Sequence, residues 1–164
     1  MLAVTSPAGD TMVSISGTTV FLPLTVSAGM ILGTVVIHAI ALLAIVHFVR
    51  RERRLGHAGV RFWKDVMIVA GATLVAFAAH LVEITIWALV FLRCGEFRDL
   101  AAAFFHSAEN YTTLGYGDVV MSPAWRLLGP IEAADGMLMF GVSTAVLFAV
   151  IQRLLQTRYE GTNE

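Results

Sequence analysis

The fold class this sequence predicts is an all-α membrane protein with three transmembrane helices and one shorter, re-entrant helix. Three observations lead there. Of 164 residues, 57% are hydrophobic and 14% charged, and the mean hydropathy is +0.77. A soluble domain of this length cannot hide so much apolar surface. Three apolar runs are long enough to cross roughly 30 Å of hydrocarbon at ~1.5 Å per residue. Between the second and third runs lies a helix-prone stretch too short to cross.

Residues 1–19 are rich in Ser, Thr and Gly and contain no Lys or Arg, which excludes a secretory signal with a basic start. They read as a tail. The first helix, residues 20–49, has no formal charge from Phe21 to Val49, and Pro23 sits where a first helical turn tolerates it. His38 and His47 are polar positions along this span. The loop of residues 50–65 holds six basic side chains from Arg50 to Lys64 against one Glu. A short basic loop between two spans marks the cytoplasmic side rather than a nucleic-acid patch. His57 in that loop reads as a solvated residue.

The outer helix, residues 66–92, is interrupted by His80 and Glu83, three apart on one face. Both are costly in lipid, so they face protein, as hydrogen-bonding groups or as a pH sensor. Residues 99–111 form a half-helix of ~20 Å. His106 on it reads as a packed side chain. The inner helix, residues 131–155, begins with Glu132 and Asp135 and leaves 156–164 as a short tail. Cys94 is the single cysteine, so no intrachain disulfide or cysteine-based metal site is possible.

The half-helix runs into "TTLGYGD", residues 112–118, where backbone must leave the helix at membrane depth. An unpaired carbonyl there costs several kcal/mol, an order-of-magnitude figure, so these carbonyls need partners. Gly115 and Gly117 permit positive φ without a Cβ clash. Alternating left- and right-handed backbone then aims successive carbonyls one way. Rings of such oxygens, with the Thr113 hydroxyl, can replace the water around a monovalent cation. The carboxyl end of the half-helix points its partial negative charge toward the same axis.

This motif, preceded by a short helix and followed by one membrane helix, resembles the pore module of bacterial potassium channels over roughly residues 66–155. The resemblance implies a homotetramer around one pore, with residues 20–49 as an additional helix outside each module. In that family, carbonyl coordination is the known filter mechanism, so it comes here with the resemblance. It implies K⁺ held by the carbonyls of Thr113, Leu114, Gly115 and Tyr116 and by the Thr113 hydroxyl. Gly117 is then a flexible joint, and Tyr116 packs on aromatics such as Phe104, Phe105 and Trp125. Leu114 departs from the family's commoner Val or Ile, which leaves the bracing of the strand and its selectivity open.

Asp118 falls at the outer mouth, where a carboxylate ring concentrates cations. One proton-gated bacterial member has glutamate where this chain has Glu109, paired with the aspartate matching Asp118. The resemblance implies the same proton-sharing pair here. Glu132 and Asp135 either brace the filter from behind or bind Arg126 across an interface. Gly136 and Gly141 match the family's hinge glycines, though small residues also favour close helix packing. Phe140, Thr144 and Phe148 share a helical face with Gln152 one turn on. Phe148 is the gate candidate.

The implied topology places the N-terminus outside and the basic loop and C-terminus in the cytoplasm, in agreement with the basic-loop rule. Arginine supplies ten of the eleven basic residues, which points to a GC-rich bacterial genome and hence an inner membrane. No span has arginines every third residue, so voltage sensing is not expected. The expectation is a passive K⁺ channel with lipid and its own copies as partners. No nucleic acid, organic substrate or organic cofactor is implied. Two alternatives stand beside it: a weakly selective cation channel, or a non-conducting accessory or transport subunit that keeps the pore loop. An enzyme is the remotest reading, since no nucleophile–base pair or metal-ligand spacing stands out.

Overall fold

The computed structural model describes residues 17–56, 58 and 61–160. The readings on residues 1–16, His57 and 161–164 lie outside them. Four helices follow in order: α1 (Gly17–Arg54), α2 (Phe62–Arg93), α3 (Leu100–Tyr111) and α4 (Leu128–Glu160). There is no strand among the described residues. Three helices are long and apolar enough to cross a membrane, over Val20–Arg54, Phe62–Arg93 and Leu128–Arg158. The fold is that of an all-α integral membrane protein.

Each long helix runs past the expected bounds at one or both ends, because the charged flanks are helix formers and cost nothing outside hydrocarbon. One consequence corrects a reading. α1 begins at Gly17, so Pro23 lies inside the helix rather than in its first turn. It is buried, and the Ser27 hydroxyl bonds to the Pro23 carbonyl at 2.8 Å.

α1 buries a narrow seam: Pro23, Ser27, Thr34, His38, Ile45 and Val49, spaced by alternating steps of four and seven. Four plus seven is an 11-residue repeat, about 3.67 residues per turn, the stripe of a nearly straight helix packing along another helix. Much of the rest of α1 is exposed and apolar, as a lipid-facing surface requires. The seam meets both α2 and α4, where Ile45 and Val49 pack with Ile68, Ala72, Val150 and Leu154. α1 therefore reaches the inner helix as well as the outer one. At one end of the bundle Arg158 on α4 pairs with Asp65 on α2 at 2.8 Å.

α2 stops at a Schellman turn. Gly95 adopts φ +76°, its N–H bonds to Leu92 O at 3.0 Å, and the Glu96 N–H bonds to Phe91 O at 3.2 Å. α3 then starts at Asp99, whose carboxylate accepts from the Ala102 N–H at 2.9 Å. Twelve residues make α3 about 18 Å long, well short of a bilayer. It is wedged between α2 and α4 by Trp87, Phe91, Tyr111, Leu128 and Met139.

Candidate ion-conduction site

α3 delivers the chain into residues 112–118, and the backbone there alternates in hand. Thr113 has φ +59°, Gly115 φ +50° and Gly117 φ +75°, while Leu114 and Tyr116 between them keep negative φ. Gly115 and Gly117 adopt this freely; Thr113 is the strained one, because its Cβ disfavours positive φ. The amides turn back toward the end of α3. The Thr113 N–H bonds to Asn110 O at 2.9 Å, and the Leu114 and Gly115 N–H groups bond to Glu109 O at 2.9 and 3.3 Å. The Tyr116 N–H bonds to the Glu109 carboxyl.

Four consecutive amides are thus spent on two residues of α3. Among the described residues nothing donates to the carbonyls of Thr113, Leu114, Gly115 or Tyr116. Residues 112–120 are exposed on the isolated subunit. Carbonyls left open in this way must find water, an ion or another copy.

Glu109 is buried, and its carboxyl also hydrogen-bonds to the Asp118 side chain. Two carboxyl groups in that contact need a proton between them. Burial, and then the Asp118 charge, push the Glu109 carboxyl above its ordinary range. Both members of the pair lie on the short α3 and the loop after it, outside the spanning helices.

Glu132 and Asp135 bond to side chains of their own subunit, and neither pairs with the same chain's Arg126 among the described residues. Glu132, fully buried, accepts from the Ser107 hydroxyl. Asp135 accepts from the Thr34 hydroxyl at 2.8 Å and the Trp87 indole N–H at 3.2 Å. Gly136, next to it, is where α4 passes the end of α3. A Cβ there would lie 2.0 Å from the Tyr111 carbonyl oxygen. The close-packing reading of Gly136 therefore holds in this structure, and α4 runs through it unbroken. Gly141 has open space around it.

The aromatic packing differs from the expectation. Tyr116 is 70% and Phe105 50% exposed within one subunit, and neither makes a ring contact among the described residues. Phe104 and Trp125 instead join the core around Phe91 and Tyr111. The aromatic cuff is not built within a single chain. Phe148, Thr144 and Gln152 are exposed along α4. Phe140 tucks its ring against His80 and Tyr111, with centroids 4.3 and 5.6 Å away.

Two features escaped sequence reasoning. Glu96, in the loop after α2, accepts from the Ser122 N–H at 2.7 Å and the Ser122 hydroxyl at 2.6 Å, tying together the two loops that flank α3. Behind residues 112–118, five side chains from all four helices close a hydrogen-bonded ring. Glu83 Oε1 meets His38 Nδ1 at 2.9 Å, and His38 Nε2 meets Ser143 Oγ at 3.0 Å. Ser143 Oγ meets His80 Nε2 at 3.2 Å, and His80 Nδ1 meets Tyr111 Oη at 3.1 Å. The Tyr111 hydroxyl donates back to Glu83 Oε2. The i, i+3 spacing of His80 and Glu83 signalled part of this ring; Ser143 and Tyr111 carried no signal of their own.

Residues 79–153 match the family model described as Ion channel. The matched stretch holds the second half of α2, all of α3, the alternating segment and most of α4. Neither curated proteins nor solved structures provide a match to the chain.

Proposed function

We propose that this chain is the subunit of a potassium-selective channel, conducting passively through a pore at the axis of four identical copies. The observation that carries the proposal is the alternation of backbone hand at Thr113, Gly115 and Gly117, with four amides tied to α3 and the carbonyls of residues 113–116 left without donors. One strand of carbonyls cannot replace a hydration shell. Four strands can, with the Thr113 hydroxyls completing the innermost ring. The exposure of Tyr116 and Phe105 fits the same arrangement, since a neighbouring copy would cover them. Asp118 then lies at the outer mouth, the N-terminus outside, and the basic loop in the cytoplasm of a bacterial inner membrane.

Rubidium uptake into liposomes holding the purified protein tests this. Uptake should exceed that into empty liposomes, resist excess sodium and stop with barium. Gly115→Ala should abolish it, because Ala at φ +50° strains the one segment that must hold its shape. Uptake indifferent to both barium and sodium would refute the reading.

A second reading, a cation pore of weak selectivity, is favoured by Leu114 alone. Its side chain is 56% exposed within the subunit, so nothing in its own chain props that strand. Sodium competing as well as rubidium would select this alternative.

A further inference from the structure

The ring behind residues 112–118 is short of one proton when Glu83 is ionised. Five contacts need five protons, one in each. Tyr111, Ser143 and two neutral imidazoles supply four when Glu83 is ionised. Ser143 locates the shortage. Its hydroxyl has one proton, so it cannot donate to Nε2 of both His38 and His80. It has two lone pairs, so it can accept from both. If Ser143 accepts from both imidazoles, both Nδ1 lone pairs turn toward Glu83, an arrangement that a cation among them stabilises.

Glu83, Glu132 and Asp135 are all buried in this region, and Glu132 Oε2 and Asp135 Oδ1 have no hydrogen-bond partner. Neither lysine nor arginine forms an ion pair with any of them among the described residues. Ligand atoms of His38, His80 and Glu83 lie within 4.8 Å of one another. The two imidazole-to-carboxylate separations are 2.9 and 3.4 Å. Donors held at zinc's usual bond lengths around a tetrahedron sit about 3.3 Å apart. The Tyr111 oxygen is in contact with both His80 and Glu83.

We propose that His38, His80 and Glu83 bind a divalent transition-metal ion, zinc by donor set, with the Tyr111 oxygen as fourth neighbour and Ser143 orienting both imidazoles. Two nitrogens and two oxygens suit zinc and its first-row neighbours; an all-oxygen cage would suit potassium, calcium or magnesium. Ser143 acts as the outer hydrogen-bond partner that metal-bound histidines require. The ion fastens α1, through His38, to the last residue of α3, just ahead of the filter segment. This inference does not depend on conduction: it concerns a site sealed within one subunit.

The test uses the full chain purified in detergent, stripped with chelator and equilibrated with Co²⁺. One ion per subunit is expected, with visible ligand-field bands of a four-coordinate nitrogen–oxygen site that Zn²⁺ abolishes. His38→Ala and His80→Ala should each weaken binding at least about tenfold. The double variant His47→Ala, His57→Ala should leave binding intact. Should either ligand variant fail to assemble, X-ray absorption at the zinc edge of that double variant decides, with two imidazoles expected around the metal. No stoichiometric ion in the wild type, full retention by His38→Ala, or an absorption spectrum without imidazole would overturn the proposal. The ring would then be closed by a proton alone.

Discussion

Gly136 occupies a position that no larger residue can share. An added methyl would lie 2.0 Å from the Tyr111 carbonyl oxygen, which belongs to backbone and cannot swing aside. Gly136→Ala should therefore destabilise the fold by about 1–3 kcal/mol, as overpacked cores do, whereas Gly141→Ala should be near neutral. Thermal unfolding of the detergent-solubilised protein measures both. Cys94 lends itself to a chemical probe. Burial, and then the nearby Glu96, raise its thiol above the usual range. Less thiolate is present at a given pH, so maleimide labelling should be slow near neutrality and should accelerate only as pH climbs past the ordinary thiol range. Glu96→Gln removes the negative neighbour and should speed labelling at fixed pH. Unchanged rates would mean that access, not charge, limits the reaction.

At the scale of elements, α3 and the segment after it behave as one unit because Glu109 holds three of its amides, two by carbonyl and one by carboxyl. The shared proton with Asp118 adds a fourth tie. Since the Glu109 carboxyl titrates above its ordinary range, this tie is present at low pH and is lost as pH rises through the raised value, when two anions face each other. Glu109→Gln should keep the segment braced at all pH values. Glu109→Ala should remove the carboxyl ties and change the decay of current in sustained recordings, and an unchanged decay would discount the brace. This unit was legible in the sequence because TTLGYGD must break a helix, and glycine spacing dictates how. The positive φ of Thr113 was not, since nothing in a threonine announces a left-handed backbone. Glu132 and Asp135 left two choices open, because a carboxylate on a helix does not reveal which neighbour packs there.

Across the whole molecule, the three spans were legible from apolar runs alone, and their ends were not, because hydropathy falls off before helical propensity does. The first helix was expected to lie outside a pore module. Its seam, with Thr34 on Asp135 and His38 on both Glu83 and Ser143, makes it part of the wall behind the conduction segment. Sequence could not foresee this, since scattered polar residues on an apolar helix become a network only once their partners are placed. The aromatic residues Tyr116 and Phe105, bare on one chain, are the surface that the proposed tetramer would cover.

The ion pair between Asp65 and Arg158 joins the first turn of one span to the last turns of another. Any splaying of α4 at that end must stretch it. Because Arg158 is 37% exposed, the attraction is partly screened by dissolved salt. The bundle thus wears an ionic latch: raising ionic strength, or Asp65→Asn, should shift the balance toward the splayed form, and distance measurements between spin labels on the two helix ends would read it.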